Sequence, residues 1–150
     1  MKYFFLYLFL LTFIFGQTVF AQTNTSVNYP FPVKYLTLLL EKQTIKMAFM
    51  DVAPKTANGQ TVILFHGKNF NGCYWKDVIP MLTSRGYRVI VPDQIGWGKS
   101  DRPNLHYSFH QLAENNKKLL DNLNVKGYCS RSFDGRNAGD EIRFDVSRNR

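Results

Sequence analysis

Two glycine-bearing stretches hold the residues with chemical potential. The first is His66-Gly67-Lys68-Asn69-Phe70-Asn71-Gly72, directly after the apolar run Thr61-Val62-Ile63-Leu64-Phe65. Two glycines and two asparagines let the backbone bend sharply at a strand's carboxyl end, where open α/β sheets place ligands. A backbone N–H presented there can stabilise an oxyanion. A plain strand-to-helix turn explains the same residues equally well. The second stretch is Pro92-Asp93-Gln94-Ile95-Gly96-Trp97-Gly98-Lys99-Ser100-Asp101, after the apolar run Arg88 to Val91. A lone G-x-G is weak as a phosphate loop when no helix starts directly after it, and a structural turn is the simpler reading. His66, His106 and His110 form no ligand cluster, and Cys73 and Cys129 lack metal-ligand spacing, so no metal site is expected.

The elements that position these stretches follow from periodicity. Leu36, Leu38 and Leu40, then Ile45, Met47 and Phe49, alternate with their neighbours around Glu41-Lys42. Period-two alternation across a short polar break predicts an antiparallel hairpin with one buried face. Thr61 to Phe65 is apolar throughout, which suits a strand covered on both faces of a parallel sheet. Trp75, Val78, Ile79 and Leu82 have helical spacing over Trp75 to Arg85, with Pro80 tolerable only in a first turn and Gly86 as the residue after the end. Ser108 and Gln111 fit a capping box. Leu112, Ala113, Leu119, Leu120 and Leu123 form one apolar stripe on a helix running to about Asn122. A hairpin followed by strand, helix, strand and helix is an α/β pattern with a mostly parallel sheet, and a further strand is expected near Val125.

An H-G pair closing an apolar strand, Trp75 soon after, and P-D-x-x-G-x-G-x-S about two dozen residues on together resemble the N-terminal part of the α/β-hydrolase fold superfamily, over roughly Leu36 to Lys126. The resemblance implies a mixed, mostly parallel sheet with an N-terminal antiparallel hairpin, incomplete here. It implies an oxyanion hole built on the backbone N–H of Lys68, with Asn69 as second candidate. His66, Gly67, Asp93, Gly96, Gly98 and Ser100 would shape the loops at the pocket mouth. His66 would not be the catalytic base, since that histidine comes late in such chains. The nucleophile would sit at G-x-S-x-G on the next strand, followed by an acid and a histidine. A serine there implies acyl transfer to water; an aspartate implies haloalkane dehalogenase or epoxide hydrolase chemistry. The substrate class would be a small ester or acyl compound, with no metal or organic cofactor.

The printed tail, Tyr128 to Arg150, contains no G-x-S-x-G, and no histidine follows His110. A serine nucleophile needs a base in reach and a group to orient it. As printed, nucleophile, acid and base are missing, and such folds run to about 250 residues as one domain. The chain is therefore expected to be an inactive fragment of a serine-type esterase or acyl hydrolase. Codons for Tyr128 to Asn149, read one base later, admit I-V-V-G-H-S-M-G-G-M-L-A-T-R-F-A-L-M-Y-P-E without a forced stop. A frameshift near Lys126 to Tyr128 is the expectation, which would make Cys129 an artefact and leave no internal disulfide. Two other readings stand beside this one: a non-catalytic exported protein or binding module, and a dehalogenase- or epoxide-hydrolase-like enzyme.

Met1-Lys2 and the apolar run Tyr3 to Phe15, closing at Val19-Phe20-Ala21, read as a secretory signal over residues 1–21. The run is shorter than the roughly 20 apolar residues of a span, so no stable membrane anchor is expected and the product is secreted or periplasmic. Residues 22–34 form a polar leader, 35–127 the hydrolase portion and 128–150 the anomalous tail. Residues 22–127 carry thirteen Lys/Arg against seven Asp/Glu, a net +6. These charges are scattered, a solvated surface rather than a nucleic-acid patch.

Overall fold

The computed structural model describes residues 27–126, and the backbone of two further strands at 129–132 and 145–146. The signal segment at 1–21 and most of the anomalous tail lie outside the described residues. No described helix is long and apolar enough to cross a membrane.

The expected hairpin is present. β1 (Val33–Leu40) and β2 (Gln43–Val52) pair antiparallel from Val33↔Met50 to Leu40↔Gln43. Glu41 and Lys42 both take positive φ, 45° and 63°, as the tight turn demands. β1 has one buried face, with Leu38 and Leu40 in the core and Leu39 72% exposed. β2 departs from the one-faced expectation. Met47 through Met50 are all buried, because β4 flanks this end of β2 inside the sheet and apolar side chains cover it above and below.

β3 (Thr61–Phe65) and β4 (Arg88–Pro92) are parallel, and β5 (Cys129–Ser132) lies parallel on the other side of β3. β6 (Asp145–Val146) pairs antiparallel with β5. The sheet order is β1-β2-β4-β3-β5-β6, a parallel centre within antiparallel flanks. The continuous apolar runs are explained by burial on both sides. Ile63 and Ile90 join Met47, Phe49, Leu119 and Leu120 on one face. Val62, Leu64, Val89 and Val91 join Trp75, Ile79 and Leu82 on the other.

The first helix is shorter than its apolar spacing suggests. Gly72–Trp75 forms a 3-10 turn, and α1 spans Val78–Ser84. Trp75 packs in the core from the turn rather than from the helix. Pro80 is the third residue of α1, where its missing N–H costs nothing. Gly86 ends α1 at φ 89°, donating to the Thr83 carbonyl while the Tyr87 N–H reaches Leu82, the paired closure of a Schellman end. A side chain at Gly86 would also meet the Thr56 carbonyl at 2.9 Å.

α2 spans Phe109–Asn122. Ser108 caps it by accepting from the Gln111 N–H at 3.1 Å. The Gln111 side chain does not complete the box; it donates to Asn115. The buried stripe also differs: Ala113 is exposed, and Asn115, 1% exposed, stands one turn before Leu119. The next strand begins at Cys129, four residues beyond the expected start at Val125.

Asp51, near the end of β2, receives Arg88 through Nε at 2.8 Å and Nη2 at 3.1 Å, with Lys34 at 3.3 Å. Burial pushes the Asp51 carboxyl up, but the Arg88 hydrogen bond and charge, joined by Lys34, outweigh it and hold it below its ordinary value. A carboxyl depressed by folding stabilises the fold above its unfolded pKa and loses that contribution as pH falls through the folded one. Asp51→Asn should therefore lower the thermal midpoint at pH 7, and the gap to the parent should close as pH falls below the ordinary carboxylate range. Thermal melts across pH 2–8 measure this, and a gap undiminished in acid would contradict it.

Candidate functional site

The loops after β3 and β4 meet at the carboxyl ends of those strands, and His66 joins them. Its Nε2 lies 2.9 Å from the Gln94 backbone nitrogen, and its Nδ1 lies 2.9 Å from the Gly67 carbonyl oxygen. The Gln94 N–H can only donate, so Nε2 is bare and Nδ1 carries the proton toward the carbonyl. His66 is 6% exposed, and both nitrogens are committed. An imidazole so used is a strut, not a free base.

Asp93 is the second junction and is 1% exposed. Its Oδ1 accepts the Gly72 N–H at 2.6 Å, and its Oδ2 accepts the Lys99 N–H at 2.8 Å and the Tyr29 hydroxyl. One carboxylate thus ties the first loop, its own loop and the leader together. Burial, then the hydrogen bond and charge of Asp93, push the Tyr29 phenol far up, so it stays a donor. The Lys99 ammonium sits 4.4 Å from the Tyr29 ring centroid.

Glycines permit these approaches. A Cβ at Gly98, where φ is 55°, would fall 2.2 Å from Asp93 Oδ2. A Cβ at Gly72 would press on Met50, Val91 and Asp93 at 3.1–3.2 Å. Gly96, at φ 96°, turns the chain so that its N–H reaches the Asp101 carbonyl at 2.9 Å. Ser100 is internal: its hydroxyl donates to the Asp93 carbonyl at 2.7 Å and accepts the Ala48 N–H at 2.8 Å. It pins the loop to β2 rather than lining a pocket.

Between these anchors the chain from Gly67 to Asn71 arches outward. The Phe70 N–H closes on the Gly67 carbonyl at 3.2 Å, and Asn69 takes a positive φ of 68°. Asn71 accepts the Cys73 N–H and caps the 3-10 turn. Lys68 and Asn69 are exposed, and among the described residues their backbone N–H groups donate to nothing. Two donors at the carboxyl edge of a parallel strand, on a braced loop, are what stabilisation of a developing negative charge requires. The Trp97 ring centroid lies 6.5 Å from that of His66 and 5.9 Å from that of Tyr107. Phe70 is half-exposed and stacks edge-on against Tyr74.

The structure therefore places His66, Gly67, Lys68 and Asn69 in one loop, and Asp93, Gly96, Gly98 and Ser100 in the other. Sequence reasoning missed Tyr29, Gln94 and Gly72. Gly72 carried a signal, being one of the loop's two glycines; Tyr29 carried none. Among the described residues, no serine, threonine or cysteine is hydrogen-bonded to a histidine, and no three candidate ligands gather to hold a metal. Cys73 is a free thiol whose Sγ faces the Asn28 carbonyl at 3.5 Å. An open groove between Val52–Thr56 and Pro80–Ser84 lies at the opposite end of the parallel strands, away from both loops.

Asp93→Asn should cost about 2–3 kcal/mol, because an amide cannot accept at both positions and a buried donor is left unpaired. Gly98→Ala should cost at least as much, about 2 kcal/mol or more, from the clash and the positive φ. Urea denaturation of each variant measures both, and losses under about 0.5 kcal/mol would contradict the bracing role.

Comparison with known proteins agrees with this geometry. The profile of the alpha/beta hydrolase fold family matches residues 60–128. A haloalkane dehalogenase of Mycobacterium marinum is 34% identical over 88 residues, covering 58% of this chain and 29% of that protein. The cis-3-alkyl-4-alkyloxetan-2-one decarboxylase of Xanthomonas campestris pv. campestris is 31% identical over 111 residues, covering 69% and 35%. The crystal structure of a probable hydrolytic enzyme from Pseudomonas aeruginosa PAO1 superposes with a TM-score of 0.68 at 45% identity, covering 70% of this chain and 34% of that one. The chain spans about a third of the length of the curated relatives it matches. By strand order, paired loops and these relatives, the chain belongs to the α/β-hydrolase fold superfamily.

Proposed function

We propose that this chain supplies the oxyanion-binding loop and pocket floor of an exported hydrolase that cleaves small esters or other acyl compounds through a serine nucleophile. The carrying observation is the pair of unengaged N–H groups at Lys68 and Asn69, on a loop fixed at His66 and Gly72. In the complete reaction a serine hydroxyl attacks the acyl carbonyl. A later histidine takes its proton, and an Asp or Glu orients that histidine. The ester's alcohol leaves with a proton returned by the histidine, and water then cleaves the acyl-serine bond to release the acid. The Lys68 N–H and the N–H following the nucleophile hold the oxyanion; losing one such donor typically costs about a hundredfold or more in turnover. The aromatic edges of Phe70 and Trp97 offer apolar surface beside it.

A second reading has specific support: haloalkane dehalogenases are among the relatives. The same loop and fold would then serve a carboxylate nucleophile that displaces halide from carbon. A non-catalytic exported binding module is the remaining class. The 150 residues as printed carry no G-x-S-x-G and no histidine beyond His110, so this product is proposed to be inactive.

The purified 150-residue chain should release no chromophore from p-nitrophenyl acetate or butyrate above the buffer rate. Turnover that is saturable and lost on heat denaturation would overturn the inactive assignment and require a nucleophile among the printed residues.

A further inference from the structure

We infer that the gene from about codon 127 onward is read one nucleotide out of frame, and that the frame one base later encodes the missing nucleophile, a serine at codon 133. The frame assignment stands on strand register and the genetic code. Only the role given to the serine rests on the acyl-hydrolase reading.

The first observation is a conflict inside the sheet. β5 is an interior strand, parallel to β3 on one side and paired with β6 on the other. Such strands are near-continuous β-branched and apolar runs, as β3 and β4 are. β5 as printed reads Cys-Ser-Arg-Ser. Local sequence and global position disagree at this strand, while β1 to β4 show no such mismatch.

The second observation is the codons themselves. Tyr128 to Ser132 are encoded by TAY TGY AGY CGN TCN (or AGY for Ser132). With TCN at Ser132, starting one base later gives AYT GYA GYC GNT CNT. These admit Ile, Val, Val, Gly and His, which is a parallel strand ending in glycine. The following shifted codons, TYG AYG GNA GRA, admit Ser, Met, Gly and Gly. Strand and G-x-S-x-G elbow arise together, in the order a nucleophile elbow requires. The remaining frame cannot do this. Its codon where the first elbow glycine would have to stand is NTC, which encodes phenylalanine, leucine, isoleucine or valine and never glycine. The printed frame has no such motif either.

The third observation is register. β5 pairs with β3 through Val62↔Cys129, Ile63↔Ser130, Leu64↔Arg131 and Phe65↔Ser132. Codon 133 follows directly on β5 in the sequence, and the last β5 residue, Ser132, pairs with Phe65, the residue before His66, where the oxyanion loop begins. The serine codon thus comes one codon after the end of a strand that neighbours β3, whose own carboxyl end leads to Lys68 and Asn69.

The code also decides between the two chemistries. TYG encodes leucine or serine and never aspartate. In this frame the position cannot hold the carboxylate nucleophile of the dehalogenase reading; it can hold the hydroxyl of the acyl-hydrolase reading.

Sequencing the DNA across codons 120–150 tests the frame. The inference expects GGT at shifted codon 131, TCG at 133 and GGA at 135. TTG at 133, or any other middle base at 131 or 135, overturns it. Deleting one base between codons 126 and 128 and expressing the product to its new stop tests the role. Hydrolysis of p-nitrophenyl butyrate, falling at least about a thousandfold when the serine codon at position 133 is changed to alanine, supports it. The expected bases without ester hydrolysis would uphold the frame and overturn the acyl-hydrolase reading; unexpected bases would overturn the frame and leave the family assignment intact.

Discussion

The site depends on one buried carboxylate. Asp93 gathers the Gly72 N–H, the Lys99 N–H and the Tyr29 hydroxyl around two oxygens with almost no solvent access. A buried carboxylate is costly unless its lone pairs are filled, and charge-assisted bonds are the strong ones. The loop after β3 therefore cannot relax without orphaning Asp93, and the loop after β4 cannot relax without orphaning Gly72. His66 repeats the constraint from the other side by holding Gln94. Two loops that would otherwise be mobile share one rigid set of polar contacts. The donors at Lys68 and Asn69 ride on it without spending their own hydrogen bonds.

The sheet supplies the platform. β3 and β4 are apolar on both faces because α2 covers one side, which the hairpin's side chains share, while α1 and Trp75 cover the other. That burial fixes the strand ends to which both loops attach. Polar bracing alone would not suffice, since a single buried aliphatic side chain contributes about 1.5–3 kcal/mol. The loops exploit a frame already set by apolar packing.

Much of this was legible in the residues. Alternation showed the β1–β2 hairpin, unbroken apolar runs showed β3 and β4, and Ser108 with Gln111 marked the start of α2. What escaped was non-local or polar within an apolar setting. Tyr29 meets Asp93 across 64 positions, and no local pattern encodes such a pairing. Asn115 occupies the buried stripe of α2, where periodicity assigned Ala113, because the stripe is set by what the helix faces rather than by hydropathy alone. The helical spacing from Trp75 was real, but Gly72 must approach Asp93 closely, and the chain winds tighter there before α1 begins. The two loops' membership in one site was carried by the family resemblance; the geometry that joins them, His66 to Gln94 and Asp93 to Gly72, could not be read from spacing.

The account's central claim is that the oxyanion loop is rigid at its ends and unengaged at its centre. Amide hydrogen exchange on the folded chain tests this most directly. Gly72, Gln94 and Lys99 should be strongly protected, exchanging at least about a hundredfold more slowly than Lys68 and Asn69, whose rates should approach those of an unstructured peptide. Equal protection of Lys68, Asn69 and Gly72 would mean that the loop's centre already has partners. It would contradict the assignment of these two N–H groups as free donors.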